Sequence, residues 1–131
     1  MAIILNPDKR RFSFAVDDEN TITLILRAPT TAEMTDYMNK RLKTDRRGNT
    51  DESKVMRLRI KFIDLLLIDI EARGPSGQPE ELLYIDENGE QKPLTTNVEN
   101  WRKYINATLK MYAAVKLETE HLEVEDETLK N

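Results

Sequence analysis

The chain has 131 residues, 39% hydrophobic and 34% charged, with 20 Lys and Arg against 24 Asp and Glu for a formal charge of -4. This suffices for one small core, and the acidic balance argues against a general nucleic-acid binder. With no Cys and one His, disulfides, thiolate metal sites, Cys nucleophiles and multi-histidine metal centres are excluded. No apolar run approaches the ~18 residues of a membrane span.

The segment from Met1 to Pro7 is too short for a signal peptide, so a cytoplasmic protein is expected. Residues 11–16 (Arg-Phe-Ser-Phe-Ala-Val) and 21–26 (Thr-Ile-Thr-Leu-Ile-Leu) flank a polar Asp17-Asp18-Glu19-Asn20 turn and predict a β-hairpin. Thr30-Thr31-Ala32-Glu33 is a capping box that opens a helix to about Lys43. A polar loop with Gly48 follows. The next helix is predicted from about Asp51 to Ala72, because Leu58, Phe62, Ile63, Leu65, Leu66, Leu67 and Ile70 would cover roughly 200° of its circumference. A surface helix needs an apolar stripe of only ~100°. Such a helix is either central or packed on a second chain, and Arg59, Phe62, Leu66, Asp69 and Ile70 are the candidate partner or self-association face.

Gly74-Pro75-Ser76-Gly77-Gln78-Pro79 breaks that helix. Leu82 to Ile85 predicts a short strand, and Gly89 supplies a positive-φ turn position before a second short strand ahead of Pro93. Thr96-Asn97-Val98-Glu99 predicts a second capping box and a helix to about Leu117. Trp101, Tyr104, Ile105, Leu109, Met111, Tyr112 and Val115 would form its apolar side. The expectation is one α+β domain over residues 1–117: an N-terminal β-hairpin, three main helices and a small β element before the last helix. Residues 118–131 would be an acidic, mobile tail.

The net charge hides an asymmetry. Nine basic residues stand between Lys40 and Lys61, and Lys43, Arg46 and Arg47 are candidate electrostatic contacts. The end of the chain is acidic, from Glu118 to Glu127. The two ends suit head-to-tail self-association, shielding of the basic segment, or plain solvated surface.

The residues offer little chemistry. His121 sits between Glu120 and Leu122 in the expected tail, where no dry pocket forms. Ser13, Ser53 and Ser76 stand in no nucleophile elbow. Asp64 and Asp69 would point about 140° apart on a helix, and Asp86-x-Asn88 lacks the rest of a calcium loop. No catalytic residue, metal or cofactor is expected.

The order of elements is similar to a known family. An Ile-Thr-Leu-Ile-Leu-Arg-Ala-Pro-Thr joint (Ile22 to Thr30) leads into Thr-Ala-Glu-Met-Thr-Asp-Tyr (Thr31 to Tyr37). A long apolar helix (Val55 to Glu71), a Gly/Pro-rich linker and strand, Trp101-Arg-Lys-Tyr-Ile-Asn and a helix closing in Val115-Lys-Leu-Glu118 follow. Over about Phe12 to Glu118 this resembles the tail assembly chaperones of long-tailed bacteriophages and prophages. The resemblance implies a non-enzymatic protein in the bacterial host cytoplasm. It would hold the largely helical, apolar tape measure protein soluble, and it would self-associate. It transfers no individual binding residue. A structural virion component, such as a tail-completion or connector subunit, is the alternative, and a small enzyme of unrecognised type a remote one.

Overall fold

The computed structural model describes residues 9–44 and 46–130, with side chains through Glu120. The protein is α+β, with an N-terminal strand pair, three helices and a small β element ahead of the last helix. It divides into two compact units, each assembled from two stretches of chain: Met1–Pro29 with Leu66–Asn106, and Thr30–Leu65 with Ala107–Asn131.

The first unit is built on a four-stranded antiparallel sheet. β1 (Lys9–Ala15) and β2 (Thr21–Arg27) form the expected hairpin, in register from Lys9↔Arg27 to Ala15↔Thr21. The Asp17 carboxylate closes the turn by accepting from the Glu19 and Asn20 backbone N–H groups. β2 is the central strand, between β1 and β3 (Leu67–Arg73), and its Leu24, Ile25 and Leu26 are all buried. A run buried on both faces loses the polar alternation of an edge strand.

β3 corrects the sequence expectation. The predicted helix to Ala72 stops at Leu66, and the chain passes into a strand without a loop. Residues 67–73 read Leu-Ile-Asp-Ile-Glu-Ala-Arg, a period-2 alternation of apolar and charged residues after Leu67. Ile68 and Ile70 are β-branched and suit a pleated surface better than a helix. Ile70 and Asp69 therefore lie on a strand, paired with Leu24 and Ile25 of β2, and belong to no helical face.

β3 turns into the short edge strand β4 (Pro79–Glu80) through Gly74 and Gly77. A Cβ on Gly74 would meet only the flexible ends of the exposed Gln78 and Glu80 side chains, which can move aside, whereas Gly77, at φ 77°, holds the left-handed conformation that favours glycine. β5 (Leu83–Ile85) and β6 (Gln91–Pro93) make a separate hairpin, whose turn has Gly89 at φ 80° as expected. The Asp86 carboxylate accepts from the Asn88 and Glu90 N–H groups and pairs with Lys92 at 2.8 Å. The Lys92 contact first, then the backbone donors, hold its carboxyl below the ordinary value. The calcium-like fragment is thus a self-contained turn.

The second capping box does not form. Asn100 takes a left-handed conformation at φ 56°, a short 3-10 helix covers Trp101–Tyr104, and Ile105 is extended. Trp101 and Ile105 are buried in this unit rather than on the last helix. The Arg102 guanidinium stacks 4.7 Å over the Trp101 ring and donates to the Leu67 carbonyl at 2.9 Å.

The second unit is helical. α1 (Thr31–Arg41) begins at the predicted capping box: the Glu33 N–H donates to the Thr30 hydroxyl at 3.1 Å, and the Thr30 N–H to the Glu33 carboxylate at 2.9 Å. α2 spans Glu52–Leu66, with Asp51 accepting from the Ser53 N–H. α3 spans Ala107–Lys130 and runs well past the expected end at Leu117. Its buried stripe is Lys110, Ala113, Ala114, Leu117 and Glu118, while Tyr112 and Val115 are exposed. That stripe has the i, i+3, i+4, i+7, i+8 spacing of a helix face. The two alanines let a neighbouring helix approach closely, and the two charges must be paired.

Among the described residues no helix is long and apolar enough to cross a membrane.

Candidate interaction groove

The helical unit is tied together by a buried charge cluster. Glu118, 9% exposed, accepts a hydrogen bond from the Tyr37 hydroxyl at 2.5 Å. Its carboxylate also meets Arg59 of α2 at 3.3 Å and Arg41 of α1 at 3.3 Å. One α3 side chain thereby joins all three helices. Burial, and then the Glu118 carboxylate, push the Tyr37 phenol far above its ordinary value, so the hydroxyl stays a donor. Burial works against the Arg59 charge, but the Glu118 carboxylate more than compensates and the guanidinium is held more firmly protonated. Lys110, 3% exposed, meets Asp64 at 2.7 Å, an ion pair rather than a well-aligned hydrogen bond. Glu118 is therefore a buried residue of α3 and not part of a solvated tail, because two cations and a phenol need its charge.

Beside this cluster a groove runs between α1 and α2. Its apolar end, about 440 Å³, is floored by Tyr37 and Phe62, whose rings stack 4.0 Å apart. Leu58 and Leu65 add to the floor, and Glu33, Asp36 and Lys61 stand among its lining residues. Leu65 is 53% exposed, a large aliphatic side chain left in solvent next to the fully buried Leu66. The basic end, about 580 Å³, shares Lys40 and Leu58 with the first and adds Lys43, Lys54 and Val55. Lys54, Leu58, Lys61 and Leu65 lie within about 60° of one another around α2, so one stripe of the helix lines both ends.

The predicted face therefore separates. Phe62 and Leu66, 5% and 0% exposed, are core. Arg59 is occupied by Glu118, and Asp69 and Ile70 are on β3. Of the predicted electrostatic contacts, Lys43 lines the groove's basic end, and Arg46 and Arg47 are exposed on the loop beside it. The side chain of His121 lies outside the described residues.

Sequence reasoning missed Leu65, Tyr37 and Glu118. Tyr37 and Leu65 were visible as apolar positions, but a helix extended six residues too far placed the centre of the arc on Leu66 instead. For Glu118 the signal was its position: eight residues after Lys110, on the same face as Ala113, Ala114 and Leu117.

Among the described residues, no group of three or more His, Cys, Asp or Glu is placed to hold a metal ion. No protein-family model matches the chain, and neither a curated protein nor a solved structure matches it.

Proposed function

We propose that this protein is a non-enzymatic tail assembly chaperone of a bacteriophage or prophage, acting in the host cytoplasm, and that the apolar end of its α1–α2 groove holds a helical segment of the tape measure protein. The observation that carries the proposal is the groove itself: an aromatic floor of Tyr37 and Phe62, an exposed Leu65, and Lys and Glu side chains at the margin. An amphipathic helix laid in such a groove buries its apolar stripe there and leaves its polar side in water. The family likeness over Phe12 to Glu118 supplies the client. A chaperone that must later release its client suits a shallow groove of this kind better than a deep pocket.

Co-expression with the tape measure protein of the same tail gene cluster tests the proposal. The unmodified chain is expected to keep the client in the soluble fraction. Leu65→Glu is expected to abolish that effect while leaving the far-UV circular dichroism unchanged. A client that aggregates equally with and without the chain would overturn the proposal. Stable incorporation of the protein into purified virions would favour a tail-completion or connector subunit instead.

A further inference from the structure

We infer that the basic end of the α1–α2 groove receives the acidic carboxyl-terminal part of α3 from a second copy of this chain, so that copies associate head to tail. The lining at that end carries Lys40, Lys43 and Lys54 against one carboxylate, Asp51, which is engaged in capping α2. Lys40 is paired with Asp36 at 3.0 Å. The Lys43 and Lys54 ammonium groups form no ion pair among the described residues. Beneath them lie Val55 and Leu58, so the site offers positive charge above an apolar floor.

The chain itself contains the complementary segment. After Glu118, α3 carries Glu120, Glu123, Glu125, Asp126 and Glu127, interspersed with Leu122, Val124 and Leu129 and opposed only by Lys130. Twelve residues of helix beyond Glu118 extend roughly 18 Å, long enough to enter a neighbour. Within one chain, Glu118 fastens α3 to Arg59, which lies about 130° around α2 from the stripe of Lys54, Leu58, Lys61 and Leu65. The inference requires no client and stands apart from the chaperone proposal.

Sedimentation velocity with full-length protein tests it. The unmodified chain is expected to associate at micromolar concentration in low salt. Raising ionic strength from about 0.05 M to about 0.5 M should weaken association about ten-fold, since partly exposed ion pairs are screened. Two charge-reversed forms follow, one with Lys43→Glu and Lys54→Glu, the other with Glu123→Lys and Glu127→Lys. Each alone should be monomeric and folded by circular dichroism. An equimolar mixture should associate again, because each acidic or basic end then meets its opposite in trans. A strict monomer at high micromolar concentration in low salt would overturn the inference, as would association insensitive to salt, persisting in either variant alone or not restored by mixing. Tight binding of a single-stranded oligonucleotide to a chain that never self-associates would reassign the basic end to nucleic acid.

Discussion

Removing one member of a buried ion pair strands the other charge, and Glu118 has Arg41 and Arg59 as partners besides the Tyr37 hydroxyl. Glu118→Ala is therefore expected to cost about 3 kcal/mol in urea unfolding, well above the loss from an average substitution. Tyr37→Phe removes one hydrogen bond and keeps the ring stack on Phe62, for a loss of about 1 kcal/mol. It should also change the pH profile. The folded chain keeps the Tyr37 proton where a free phenol, ordinarily at 10.0, has released it. A folded-state pKa raised above the unfolded one gives stability that is complete below about pH 10 and is lost as pH rises beyond it. Thermal melts of the unmodified protein should fall above pH 10, and those of Tyr37→Phe should fall less.

At the level of elements, the adjacent positions Leu65 and Leu66 make the sharpest contrast. Leu66 is fully enclosed, so Leu66→Glu forces a charge into a dry site and should unfold the protein, and Leu66→Ala should cost about 2–5 kcal/mol. Leu65→Glu should shift stability by no more than about 0.5 kcal/mol, read by the same melts. In the β5–β6 hairpin, Lys92→Ala should let the Asp86 carboxyl rise toward its ordinary 3.8, followed by carbon-13 NMR titration. Because that folded-state pKa is depressed, its contribution is present above the unfolded value and fades as pH falls through the folded one.

The same elements show what the sequence made legible. The first hairpin and the Thr30–Glu33 cap depend on neighbours a few residues apart, and both stand as local chemistry requires. The α2–β3 junction was obscured because Ile63 to Ile70 is apolar enough to satisfy either period. Only the Ile68-Asp69-Ile70-Glu71 alternation distinguished them, and partners on β2 decided it. The Thr96–Glu99 motif had the right letters, but the left-handed Asn100 ended any helix there. On α3 the large apolar residues are the conspicuous ones, whereas the buried face uses two alanines, a leucine, a lysine and a glutamate. Paired charges buried in a core leave no hydropathy signal. The groove was half visible: Lys43 stood out by charge, but Leu65 became distinct only once the helix end was known.

Across the molecule, the charge cluster predicts where the chain can be shortened. Ending it after Glu120 retains Glu118 and should leave the melting temperature nearly unchanged. Ending it after Leu117 removes the cluster and should cost about 3 kcal/mol. The interleaving of the two units has a further consequence, for synthesis. The main chain crosses between them at Pro29 to Thr30, Leu65 to Leu66 and Asn106 to Ala107. A ribosome that has just delivered Asn106 has supplied every stretch of the sheet-bearing unit but only α1 and α2 of the other. The nascent helix pair must wait, greasy side uncovered, for α3 to leave the exit tunnel. Pausing translation late in the message would thus prolong the lifetime of an intermediate open to aggregation, and synonymous codon choice after that point becomes a determinant of yield.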